Sequence, residues 1–284
     1  MSDNPITQAI QRRYSCRSYA RQPIDPKIRA QLEETIASTQ VGPFGTPVRF
    51  ALLAATEQDR DTIKGLTTYG MIRNPPAFLC AAMPQGDKNL EDLGFLMEQA
   101  ILLATEIGLG TCWLGGTFNR SVFAERISLD SDETLPAVTA VGHIARRARV
   151  VDGLIRLGVR ADKRLPWDRL FFEGTFDTPL DPENAGDYAL PLEMVRLGPS
   201  ASNKQPWRIV RGESAWHLYL ARTQGYRRVS DGSQAADMQR IDMGIAMCHW
   251  QLTATAEGLS GTWQVENPGI ALTDPLAEYV VTWK

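Results

Sequence analysis

The sequence predicts an α+β protein made of two fused copies of one unit. Three observations carry this prediction. First, the chain repeats itself: "QPIDP" (22–26) returns as "TPLDP" (178–182), and the same shift of 156 carries "VGP" (41–43) onto "LGP" (197–199). Second, the shift settles at 150 further on, where 9 of the 22 positions from Asp92 to Trp113 are identical to those 150 later, among them Asp92/Asp242, Gly108/Gly258 and Trp113/Trp263. Chance would give about one or two. Third, segments 93–107 and 243–252 are apolar almost all round, as helices buried in a large core are, and they occupy corresponding places in the two copies. The two fit on a pseudo-twofold axis, as in a dimer whose subunits have been tied together. The boundary is placed at 165/166, giving repeats 1–165 and 166–284 that together form one compact unit.

Each element follows in turn. "MSDNPITQAIQRR" opens amphipathically, as a short helix would. "RRYSCRSY" (12–19) sets Arg13, Ser15 and Arg17 at alternate positions, so an extended segment would point all three the same way. Guanidinium forks match phosphate oxygens, which makes this a candidate phosphate grip. Asp25-Pro26 and Asp181-Pro182 each supply an N-cap and a first helical residue, predicting a helix after both. Ile28, Leu32 and Ile36 give the first of these an apolar stripe. "VRFALLAA" and "AFLCAAM" read as strands, and "WRIVRGESAWHLYLA" as strand or hairpin pieces, with Arg208 answering to Arg49.

Composition narrows the function. Thirty Lys plus Arg against 33 Asp plus Glu leaves a charge of -3, which disfavours nucleic-acid or membrane-surface binding. Four cysteines without a C-x-x-C pair read as reduced, structural thiols. No apolar h-region and no 18-residue apolar run is present, so a soluble, cytoplasmic protein is expected. The three histidines have no metal-ligand spacing, and no metal site is expected. "GLGTCW" fails as a dinucleotide fingerprint because Trp113 stands where the third glycine belongs.

Three motifs carry a resemblance to a known family. "RYSCRSY" resembles the R-x-S-x-R-x-F/Y phosphate-binding element of the FMN-dependent nitroreductases. "PSASNKQPWR" (199–208) is similar to their P-S-x-x-N-x-Q-P-W stretch, and "GLGTCWLGG" (108–116) to their turn beneath the flavin. More narrowly, the chain resembles the fused, single-chain type of the Thermotoga nitroreductases.

The resemblance implies a three-layer α/β/α sandwich whose two repeats form an intramolecular pseudo-dimer, monomeric as a chain, with flavin at the repeat interface. Arg13, Ser15 and Arg17 would hold the FMN phosphate, with Lys163 or Arg164 completing the cluster. Pro199, Ser200, Asn203 and Gln205 would meet the ring edge, and Leu114, Gly115 and Gly116 would act through main-chain atoms near flavin N5. The resemblance does not show which side chains cap the ring; Tyr69 and Arg73, in "TYGMIRN", are candidates for that lining. NAD(P)H as co-substrate would deliver hydride, and a nitroaromatic or quinone-like small molecule would accept it. Because donor and acceptor would share one ring face, no dinucleotide motif is needed. The alternative implied is a flavin-binding sensor or carrier without turnover.

The repeat sharpens this expectation to one flavin per chain. The counterparts of Arg13, Ser15 and Arg17 are Arg169, Phe171 and Glu173, and Glu for Arg would repel a phosphate. Conversely, the second copy keeps Ser200, Asn203 and Gln205 where the first has Phe44, Gly45 and a deletion. The losses are complementary, so the intact motifs pair into one working site.

Overall fold

A computed structural model describes residues 4–38, 40–59, 61–146, 152–153, 157–158, 163–224 and 236–284. The chain forms two compact units, one of Arg12–Arg160 and one of Met1–Gln11 with Ala161–Lys284. The sequence boundary at 165/166 falls close to the second of these breaks. The opening residues, however, group with the C-terminal unit, and helix α1 (Pro5–Arg12) buries Thr7, Ala9 and Ile10.

The Arg12–Arg160 unit is built on helix α2 (Pro26–Ser38), strand β1 (Arg49–Ala54), strand β2 (Ala77–Pro84), helix α3 (Asn89–Glu106), strand β3 (Gly110–Leu114), helix α4 (Arg120–Arg126) and strands β4 (Glu133–Thr134) and β5 (Val138–Gly142). Asp25 caps α2 as expected, accepting from Lys27 N at 2.9 Å, while Leu32 and Ile36 are buried. The strands order as β1-β2-β5-β3 with antiparallel neighbours. β2 is central, and its apolar run without alternation fits burial on both faces. One face packs Phe78, Cys80, Cys112, Leu114 and Ala140 against Phe118 and Phe123.

The other unit holds strand β6 (Phe171–Glu173), helix α5 (Ala189–Leu197), strands β7 (Trp207–Arg211) and β8 (Trp216–Ala221), helix α6 (Met238–Ala256) and strands β9 (Trp263–Gln264) and β10 (Ala277–Trp283). Its sheet runs β6-β7-β8-β10-β9, with β6 parallel to β7 and the remaining pairs antiparallel. The hairpin expected from "WRIVRGESAWHLYLA" is β7–β8. The second Asp-Pro departs from expectation. Asp181 accepts from Glu183 N at 3.1 Å but starts only a single turn, Pro182–Asn184. Gly186, at φ 59°, turns the chain out of that path before α5 begins.

All four cysteines are buried and none is in a disulfide. Among the described residues, no helix is long and apolar enough to cross a membrane.

Candidate functional site

Residues 13–19 are extended, as their alternation predicts. Ser15 bridges Thr111 of β3 in parallel, with Cys16 N donating to Thr111 O at 2.8 Å. Ser18 bridges Arg73, whose backbone N donates to Arg17 O at 2.8 Å. The segment is therefore stitched on two sides, and Cys16 points inward while Ser15 and Arg17 are half-buried. Burial raises the Cys16 thiol and pushes Cys112 up to about 11, so both behave as inert packing groups.

The two arginines differ. Arg13 Nε lies 3.8 Å from Glu98 Oε1, and Glu98, wholly buried in α3, also accepts from Trp113 Nε1 at 2.8 Å. Arg17 has no carboxylate within ion-pair distance among the described residues; its Nη1 reaches only Ser15 O, at 3.5 Å. Sequence reasoning missed Glu98 because segment 93–107 reads as apolar, yet a carboxylate in the middle of such a run is itself a signal of a buried partner.

Leu114 ends β3 buried, and Gly115 and Gly116 follow. A Cβ built on Gly116 would meet nothing within 4 Å, so that side is open. Gly115 O accepts from Arg120 Nη2 at 3.1 Å, and the same guanidinium donates to Pro136 O at 3.0 Å and Leu135 O at 2.8 Å. It stacks 4.9 Å from the Phe118 ring, and burial lowers its pKa. Arg120 thus fixes the Gly115–Gly116 peptide plane. Nothing in the local sequence marks this residue, whose acceptors lie up to sixteen positions away.

Pro199, Ser200, Asn203 and Gln205 form a loop in the other unit, and its amides are spent internally. Gln205 Oε1 accepts from Leu165 N at 2.7 Å, and its Nε2 donates to Lys163 O at 3.3 Å and Asn203 O at 3.2 Å. Asn203 Nδ2 donates to Lys163 O at 2.9 Å, and Ser200 Oγ accepts from Gln205 N at 2.8 Å. Arg164 donates through Nη2 to Leu197 O at 3.0 Å, capping the end of α5, and through Nη1 to Asn203 Oδ1. Lys163 is exposed. Ser202, Asn203 and Gln205 all have φ near +50°, three left-handed residues around a right-handed Lys204 at φ −75°. Tyr69, another left-handed residue, is exposed, and Arg73 serves Arg17 through its backbone.

An antiparallel sheet backed by a buried helix, bearing an R-x-S-x-R segment beside a glycine turn, defines a nitroreductase-type α+β protein. The chain belongs to a nitroreductase family: the family model described as "Putative TM nitroreductase" matches residues 5–254. The fold agrees with that of a nitroreductase from Thermotoga maritima, at 19% identity and a TM-score of 0.61, over 98% of this chain and 92% of that one. Two FMN-bound nitroreductase structures are also similar. That from Desulfovibrio desulfuricans shares 22% identity over 53% of this chain and 95% of its own, at a TM-score of 0.41. That from Desulfitobacterium hafniense shares 18% over 52% and 93%, also at 0.41. No curated protein matches the chain.

Proposed function

We propose that the chain is an FMN-dependent oxidoreductase that takes reducing equivalents from NAD(P)H and passes them to a nitroaromatic or quinone-like acceptor. Family membership supports the oxidoreductase class. The observation that carries the flavin reading is the Ser15–Thr111 bridge. It lays the cationic segment along β3, three residues before Leu114 and the glycine turn, so both motifs adjoin within one unit.

The residues present fit FMN. Arg17, half-buried and without a carboxylate partner among the described residues, suits a phosphate, and Ser15 beside it supplies a hydroxyl. Open space over Gly116 suits a flat ring approaching the backbone closely. When bound, FMN supplies the hydride chemistry, and the protein supplies grip, orientation and polarity.

Arg17 and Ser15 would hold the phosphate, and Glu98 offsets the charge of Arg13 in the same segment. Arg120, by clamping Gly115 O, sets the direction of Gly116 N–H, the donor assigned to the ring's reacting edge. In the 199–205 loop, Gln205 and Arg164 are positioning residues, because their polar atoms bond their own backbone. Ser200 and Asn203 are likewise engaged, Ser200 Oγ accepting from Gln205 N and Asn203 Nδ2 donating to Lys163 O.

An absorbance spectrum with a flavin count tests the proposal. About one FMN per chain, bleached by NADPH and restored by a nitroaromatic, is expected. A flavin band that no nicotinamide bleaches would leave a binder rather than an enzyme, and purified protein that takes up no FMN would refute the reading.

A further inference from the structure

The two sheets are finished differently. In the Arg12–Arg160 unit, residues 115–137 link β3 to β5 and include α4, so Phe123 packs edge-on against Phe78 at 4.9 Å. Glu133, from the same link, pairs with Arg49, its Oε1 accepting from Nε at 2.9 Å. In the other unit the corresponding link, 265–276 between β9 and β10, contains no helix. Arg208, the repeat counterpart of Arg49, has no carboxylate within ion-pair distance among the described residues; its Nη1 donates to the carbonyls of Gln205 (3.0 Å) and Trp207 (2.7 Å).

That unit also holds a cavity of about 110 Å³ lined by Arg169, Phe172, Phe176, Arg208, Ala221 and Asp274, among others. Arg169 is exposed and makes no side-chain hydrogen bond or ion pair among the described residues. Burial and then the neighbouring Arg169 charge bring Arg208 down to about 10, with Asp274 only partly opposing. Two guanidinium groups against one carboxylate leave a single positive charge, which matches a monoanion. Phe172 and Phe176, 5.5 Å apart, give the rest of the cavity an aromatic wall. At about 110 Å³ the cavity is smaller than one of about 150 Å³ that encloses benzene, so it would seat one face of a ring rather than enclose it.

We propose that this cavity binds a small monocarboxylate with a flat apolar body, its carboxylate gripped between Arg169 and Arg208 and its body lying on Phe172 and Phe176. A dianion such as phosphate would be overcompensated beside Asp274 and would leave the aromatic wall unused. The cavity is lined by residues of the Ala161–Lys284 unit, and Arg169 belongs to none of the flavin motifs, so a variant there reads this cavity apart from FMN.

Calorimetric titration of the purified full chain with benzoate, acetate and inorganic phosphate tests the proposal. Benzoate should bind saturably and at least about tenfold more tightly than acetate, the difference being ring burial. Arg169→Gln, at an exposed side chain, should weaken benzoate about tenfold or more while leaving the flavin count unchanged. Asp274→Asn keeps the acceptor that caps Leu276 N and should tighten it several-fold. Phosphate binding at least as tight as benzoate, no benzoate binding, or benzoate affinity indifferent to Arg169→Gln would each overturn the proposal.

Discussion

Arg13 Nε lies 3.8 Å from Glu98 Oε1, and both side chains are almost wholly withdrawn from water. A buried charge pair adds little net stability, but breaking one side of it leaves an uncompensated charge. Glu98→Gln keeps the shape and the acceptor for Trp113 Nε1 and removes only the charge. We expect it to cost about 3 kcal/mol in urea unfolding. An unchanged midpoint would mean that Arg13 is balanced by something other than Glu98.

Arg17 and Glu173 hold equivalent places in the repeat, but their surroundings differ. Arg17 has no carboxylate partner among the described residues, whereas Glu173 is exposed and 3.6 Å from Arg211. Arg17→Glu should therefore abolish FMN retention through desalting, while Glu173→Ala should change it little. Equal losses in the two variants would defeat the assignment of one flavin per chain.

Arg120 holds three carbonyls, and Arg120→Met would leave all of them short of a donor. Each unmade bond at a sheltered carbonyl costs about 1 kcal/mol or more, so a loss of about 3 kcal/mol is expected. The more specific readout is local. The Gly116 amide should exchange with solvent faster in the variant than amides of β2, and a uniform acceleration across the unit would show merely global destabilisation.

Much of the fold was legible because the repeat exposed it. Asp92 and Asp242 stood out as identities 150 apart, and in the structure each takes backbone N–H groups from the loop after its Gly-Pro: Asp92 from Phe44 N and Thr46 N, Asp242 from Ala201 N. Trp113 and Trp263 likewise both give their indole N–H to the preceding helix, to Glu98 and Gln251. The internal duties of Gln205 and Arg164 were not legible. An amide beside a ring edge and an amide across a backbone require the same residue type, and the sequence holds no record of which N–H is in reach. The left-handed turns at Asn203 and Gln205 were hidden for a similar reason, because the side chains of both residues bond residues 163–165, some forty positions away.

Asp242 offers a test in pH. Its counterpart Asp92 satisfies both oxygens, whereas Asp242 Oδ1 accepts from Ala201 N at 2.9 Å and Oδ2 has no hydrogen-bond partner among the described residues. Burial raises its pKa well above the ordinary aspartate value, the Ala201 N–H opposes this only in part, and Asp237 adds to the rise. A carboxyl group raised on folding gives stability that is full below its unfolded pKa, about 3.9, and is lost as pH climbs through its folded pKa. Asp242→Asn keeps the Oδ1 acceptor and cannot ionise, so whatever fixed cost its amide brings does not vary with pH. The stability of the native protein should therefore fall relative to Asp242→Asn from about pH 4 upward, by as much as about 1.4 kcal/mol per pH unit, and level off above the folded pKa. Urea midpoints of the two proteins that run parallel from pH 4 to pH 8 would show that Asp242 ionises in the fold as freely as it does in water.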